Sequence, residues 1–258
     1  DDGCNDPSWP TCTCYAGNGT YCGAGVASYG YQNHCQVPTL TGHASDILSC
    51  QNGTWTVQTQ CAQGCQVMPN GTPDVCSSPG DYHLPWPSGA TYTVTQGNNG
   101  DICGGGTGDH TGVQAYAFDF GLPRSTEVHA SRAGTVTVAA HRVSPGDACY
   151  DGCTQPFGTS AFNQCCSACL NQSNWVNVDH GDGTVATYWH LDSLAVSVGQ
   201  QVQAGAVLGH SGTSGCSSGP HLHFQVMGGC PQSYCQSVPI SFAEAGTPGC
   251  GAQVTSQN

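Results

Sequence analysis

Gly219-Pro-His-Leu-His-Phe-Gln-Val226 alternates with a period of two, which is the pattern of a half-buried β-strand. Leu222, Phe224 and Val226 share one face, apolar and therefore core. His221 and His223 share the other, about 7 Å apart at the rise of a strand. Gly219-Pro220 makes an abrupt entry into that strand, because proline fixes φ and has no amide donor. The same texture extends outward on both sides. Short β-branched or aromatic runs occupy 91–95, 115–120, 134–138, 175–178, 185–190 and 206–209, punctuated by Gly, Asn and Asp. Asp182-Gly183 between two of them signals a hairpin. Helix signals are weak throughout, so the expected fold class is mostly β: an antiparallel sheet with a groove, preceded by a small disulfide-rich module.

Composition narrows the function. Among 258 residues there is no lysine, only three arginines (Arg124, Arg132, Arg142), and a net charge of −13. Nucleic-acid binding through phosphates needs clustered Lys and Arg, and phosphate loops need a Gly-Lys-Ser/Thr ending, so no nucleic-acid partner is expected. No run approaches the roughly 18 apolar residues of a spanning helix, so no membrane insertion is expected either. Nineteen cysteines in Gly/Ser/Asn-rich loops read as disulfides formed outside the cytosol, and the chain is expected to be secreted, its start at Asp1 following removal of a signal peptide.

The cysteines also divide the chain. Nine lie in residues 1–80, where apolar runs are short, and Ser77-Ser78-Pro79-Gly80 reads as a linker. Residues 1–77 are therefore expected to be a small cysteine-rich module, for substrate or cell-wall binding or as a structural cap, with one cysteine left free or paired outside it. Residues 81–245 form the second domain. Within it, Cys149, Cys153, Cys165, Cys166 and Cys169 mark 143–174 as a disulfide-bonded insertion on the rim of the sheet.

Eleven histidines invite sorting. Besides His221 and His223, Tyr188-Trp189-His190 places Tyr188 and His190 on one face if the alternation holds. His110 is followed by Asp119, whose neighbours Phe118 and Phe120 face away from it. Catalytic zinc uses three ligands drawn from His, Asp, Glu or Cys and keeps a fourth position open. His110, Asp119 and one of His221 and His223 suffice for that. The remaining histidine and His190 are then free for proton transfer or oxyanion stabilisation.

In their order, His110…Asp119, Thr187-Tyr-Trp-His-Leu191, Val198-Gly-Gln-Gln-Val-Gln-Ala-Gly205 and Gly219-Pro-His-Leu-His-Phe224 resemble the lysostaphin-type, LytM-like zinc endopeptidases of metallopeptidase family twenty-three, over roughly residues 81–240. The resemblance implies a groove with zinc on its floor, held by His110, Asp119 and His223, with His190 and His221 as catalytic histidines. It implies a substrate among bacterial peptidoglycan cross-links, hence bacteriolytic action, with glycine-rich, elastin-like extracellular protein as the alternative. Tyr188 is expected to contact substrate, and a monomer is expected. The family usually spaces its aspartate four residues from the first histidine; here the interval is nine.

Other readings fare worse. Gly215-Cys-Ser-Ser-Gly219 fits a nucleophile elbow around Ser217, but a strand follows where that motif needs a helix, and no triad acid and histidine follow in order. Asp179-His180-Gly181-Asp182-Gly183 reads as a tight hairpin rather than a calcium loop. His34, His43, His83, His129, His141, His180 and His210 lack a partner pattern and read as structural or surface groups. A non-catalytic binding or regulatory protein on the same scaffold needs none of the five site groups, yet all five are present.

Overall fold

The computed structural model describes residues 19–23, 46–52, 54–60, 65–66, 75–76, 82–103, 108–228, 230, 232 and 234–258. In the first segment β1 (Gly19–Cys22), β2 (Ile47–Gln51) and β3 (Thr54–Thr59) form an antiparallel sheet, and β4 (Cys65–Gln66) pairs with β5 (Val75–Cys76). Most of the expected 1–77 module, the 77–80 linker, His34 and His43 lie outside the described residues.

The second segment contains β6 (Thr91–Gln96), β7 (Phe118–Phe120), β8 (Glu127–His129), β9 (Gly134–Ala140), α1 (Ser160–Cys169), β10 (Trp175–Asp179), β11 (Thr184–Trp189), β12 (Leu191–Leu194), β13 (Gln201–Val202), β14 (Val207–Ser211), β15 (Leu222–Gly228) and β16 (Gln253–Thr255). Eight of these form one antiparallel sheet in the order β13-β9-β10-β11-β15-β7-β6-β16, and β12-β14-β8 form a second. The fold is mostly β and antiparallel, as the alternating runs required. No helix among the described residues is long and apolar enough to cross a membrane.

Register explains where the core sits. On β15, Leu222 pairs with Phe120 of β7, and Phe224 pairs with Phe118 of β7 and Tyr188 of β11. Directly paired residues share a face, so this apolar row is continuous, and each of these five side chains is fully buried. Val128 of β8, Leu191 of β12 and Leu208 of β14 join them in one cluster. Trp86 closes it, packed edge-on to Phe120 at 4.9 Å, with its indole N–H donating to the Ala90 carbonyl. Removing one such aromatic side chain from a core costs about 3–5 kcal/mol.

The insertion differs from expectation in one respect: it carries the helix α1. The helix spans 10 residues, capped by the Thr159 hydroxyl, which accepts from the Phe162 amide. So short a helix depends on tertiary ties. Cys153–Cys165 and Cys149–Cys169 pin it within the insertion, and Cys166–Cys216 pins it to the loop before β15. With Cys103–Cys250 and Cys230–Cys235, all ten cysteines beyond residue 80 are paired. The three arginines are each engaged. Arg124 grips Asp192 with two nitrogens and Asp151 with a third, Arg132 meets Asp182 at 2.6 Å, and Arg142 lies over the Trp175 ring.

Candidate metal and catalytic site

The opposite face of the large sheet carries a polar row. Gln96 of β6 pairs with Asp119 of β7, Asp119 with His223 of β15, His223 with Trp189 of β11, and Trp189 with Trp175 of β10. Because β7 and β15 are adjacent, the register alone sets the Asp119 carboxylate beside the His223 imidazole, with Oδ1 to Nδ1 at 3.0 Å. His110, in the loop before β7, brings Nε2 to the same oxygen at 3.3 Å, and His221 Nε2 lies 3.7 Å from it. One carboxylate oxygen thus gathers three imidazoles. The donor atoms of His110, Asp119 and His223 lie within 4.8 Å of one another, and this triplet could hold a metal ion. Cys153, Cys165 and Cys169 are also mutually close, but each is already in a disulfide.

Backbone carbonyls fix which nitrogen each ring presents. His110 Nδ1 faces the Gly97 carbonyl at 3.1 Å, leaving Nε2 toward Asp119. His190 Nδ1 donates to the Ser214 carbonyl at 2.7 Å, and His221 Nδ1 to the Gly219 carbonyl at 2.9 Å. Both therefore turn an Nε2 lone pair away from their anchor. The two rings lie 4.6 Å apart, and the His190 ring is 6.1 Å from that of His223.

Charge balance follows from the same contacts. Burial works against ionised Asp119, but His221, His110 and His223 outweigh it and hold the carboxyl well below its ordinary value. Burial disfavours a charged His110 too, yet the Asp119 carboxylate raises it above its usual value. Burial, reinforced by His221 and His223, pushes His190 down to about 3, so that ring is neutral.

These groups line a cleft of about 650 Å³. Trp189 and Tyr234 stand on one side, and Phe157, Phe162 and Leu170 of the insertion line it as well. Trp189 stacks on Trp175 at 4.7 Å and meets the Tyr234 ring edge-on at 5.3 Å.

The structure corrects the expectation for Tyr188. Its side chain is fully buried on the core face, paired with Phe224, and its oxygen accepts from the Ser131 amide at 2.8 Å. Strand alternation stops at Trp189, because His190 adopts φ 66° and so turns toward the cleft independently of Tyr188. A non-glycine residue there costs of order 1–2 kcal/mol. Trp189 rather than Tyr188 faces the cleft.

Two residues went unrecognised in the sequence. The Tyr234 hydroxyl lies 3.4 Å from His223 Nε2 and donates to Gln225 Oε1 at 3.0 Å. Gln225 is fully buried and follows His223 on the same strand face. Tyr234 as a residue is 37% exposed, but its hydroxyl end is enclosed, and burial with the Asp119 and Asp109 charges raises its pKa well above normal. Gln225 could have been noticed from strand alternation; Tyr234 sits in a loop with no pattern to mark it.

Residues 163–234 match the family model for peptidase family M23. The chain carries a peptidase M23 domain. The matched segment contains His190, His221 and His223, while His110 and Asp119 precede it. Relatives of the M23 domain include the glycyl-glycine endopeptidase ALE-1 of Staphylococcus capitis, 37% identical over 71 residues that make up 28% of this chain and 20% of that one. The peptidoglycan DD-endopeptidase ShyA of Vibrio cholerae serotype O1 is 39% identical over 54 residues, 21% of this chain and 13% of that one. Lysostaphin of Staphylococcus simulans is 52% identical over 40 residues, 16% of this chain and 8% of that one. The chain spans a fifth or less of the length of these relatives.

Proposed function

We propose that this M23-domain protein is a secreted, monomeric zinc endopeptidase that hydrolyses the peptide cross-links of bacterial peptidoglycan and so lyses cells. The observation that carries the reading is the convergence of His110 Nε2 and His223 Nδ1 on Asp119 Oδ1, with two carbonyl-anchored histidines beside them. Two imidazoles and one carboxylate are a donor set that suits zinc with a fourth position open, and the Gly97 carbonyl orients His110 as a ligand's outer partner does. The names of the relatives, which specify glycyl-glycine and peptidoglycan endopeptidases, support the substrate class. Residues 81–245 would form the catalytic domain, and residues 1–77 would bind the wall or substrate.

Zinc bound by His110, Asp119 and His223 would supply Lewis-acid polarisation of the scissile carbonyl and an acidified water. His190 and His221 then carry protons. Each holds its own proton on Nδ1 against a backbone carbonyl, so each offers the Nε2 lone pair to the cleft. One accepts the proton of the attacking water and returns it to the leaving amine. Once protonated at Nε2, either ring also becomes a hydrogen-bond donor to the developing oxyanion. Trp189 and Tyr234 form a wall against which a peptide can lie.

The test is hydrolysis of killed Gram-positive cells, casein and elastin by the purified chain, with and without chelator. Clearing of cells, abolished by chelation and restored by zinc, is expected. Clearing of casein or elastin alone would overturn the substrate class. Activity indifferent to chelation would overturn the metal.

A further inference from the structure

The carbonyls that orient His190 and His221 both belong to one loop, between β14 and β15, and that loop is not held by the sheet alone. Its Ser214 carbonyl takes the Nδ1–H of His190, and its Gly219 carbonyl takes that of His221, with the Ser217 hydroxyl 3.3 Å from the same His221 nitrogen. Between them sits Cys216, in disulfide linkage to Cys166 of α1. The rest of the insertion grips the same stretch. The Cys153 amide donates to the Ser217 carbonyl and the Gly215 amide to the Cys149 carbonyl, both at 2.7 Å. Ser173 Oγ donates to the Ser214 carbonyl at 3.2 Å, and the Ser214 hydroxyl accepts from the Asn174 amide at 2.9 Å. Gly152 approaches so closely that a Cβ there would stand 2.6 Å from both the Thr213 and Ser217 carbonyl oxygens.

We propose that the disulfide-bonded insertion 143–174 is a positioning clamp, which through Cys166–Cys216 and the Ser173 contact holds the loop carbonyls that set the tautomers of His190 and His221. The metal triplet does not depend on it. His110 is oriented by Gly97, and Asp119 and His223 by the β7–β15 register, none of them in the clamped loop. The inference rests on His190 and His221 as proton carriers. A free loop of this length samples many conformers, and a misplacement of about 1 Å at a reacting group costs on the order of a hundredfold in rate.

The test compares the full chain with a Cys166→Ala/Cys216→Ala double variant and with Ser173→Ala, which removes one hydrogen bond and keeps every disulfide. Three quantities are measured: kcat and KM on a peptide substrate, zinc stoichiometry, and the imidazole tautomers by long-range proton–nitrogen NMR correlation. In the double variant kcat should fall by about tenfold or more, with KM within about twofold, zinc retained and Nδ1–H populations reduced at both His190 and His221, as expected for a group misplaced by a fraction of that distance. Ser173→Ala should disturb the His190 tautomer and leave that of His221 intact. If the double variant does not fold, the Ser173→Ala spectrum decides. Unchanged kcat and unchanged tautomers in both variants would overturn the proposal, as would zinc lost together with kcat. Failure of the parent chain to hydrolyse any peptide would refute the proposed function instead, and the NMR comparison would still report on the clamp.

Discussion

Replacing Tyr234 by Phe isolates one hydroxyl at the edge of the metal triplet. The ring, with its 5.3 Å contact to Trp189, is kept. What goes is an oxygen placed to accept from His223 Nε2 at 3.4 Å and to donate to Gln225 Oε1 at 3.0 Å. The first bond is long, near the limit for such a contact, and the second is ordinary. Loss of an outer partner of a metal-ligating histidine costs about 10- to 100-fold in metal affinity, and the long His223 contact places this case near tenfold, or about 1.4 kcal/mol. The stability cost comes from stranding Gln225 Oε1, a buried acceptor whose loss of a partner costs about 1–3 kcal/mol. Zinc competition against a chromogenic chelator measures the first quantity and urea unfolding of the metal-free chain the second. Zinc affinity within twofold of the parent would refute the claim that the hydroxyl holds His223 in its ligating tautomer. It would then be a prop for Gln225 only.

Asp119→Asn preserves shape but removes the charge at which three imidazoles meet; stoichiometric zinc should be lost and hydrolysis should fall by at least about a hundredfold, read by metal analysis and turnover. Tyr188→Phe should leave kcat/KM unchanged while costing about 1–3 kcal/mol in urea unfolding, because the buried Ser131 amide loses its acceptor; a raised KM would restore Tyr188 to the substrate side. Burial, with the Arg132 charge nearby, pushes His180 down to about 4. A neutral His180 therefore contributes stability that is present above the unfolded pKa near 6.5 and is lost as pH falls toward 4, roughly 2 kcal/mol after allowing for partial exposure. His180→Gln should lose that slope between pH 6.5 and 4, and parallel stability profiles for parent and variant would refute the assignment.

Much of the sheet could be read from the sequence because alternation is local. Leu222, Phe224 and Val226 declare a core face and His221 and His223 a cleft face without reference to any other strand. The meeting of Asp119 with His223 was foreseeable only as chemistry; its geometry comes from an antiparallel register between residues 104 apart. Tyr188 was misplaced because alternation was extended one residue past Trp189, where a positive φ at His190 breaks it. Strand β13, two residues long, and strands β8 and β12 carry too few side chains to show a period. Helix α1 was missed for a related reason: four of its positions are polar Ser, Asn or Gln and three are cysteine, so its stability lies in disulfide partners that spacing does not reveal. Tyr234 joins the site through tertiary contact alone.

The arginines have a further consequence. Trypsin-like proteases cut after lysine or arginine and must draw that side chain, with an extended segment of backbone, into a deep acidic pocket. This sequence offers only three such points. Asp192 and Asp151 already occupy Arg124, Asp182 occupies Arg132, and Arg142 rests on Trp175 with its amide bound to Asn174 Oδ1. Digestion by enzymes of that specificity should therefore be slow for as long as the chain stays folded, since each of its three cleavage points is tied into the structure.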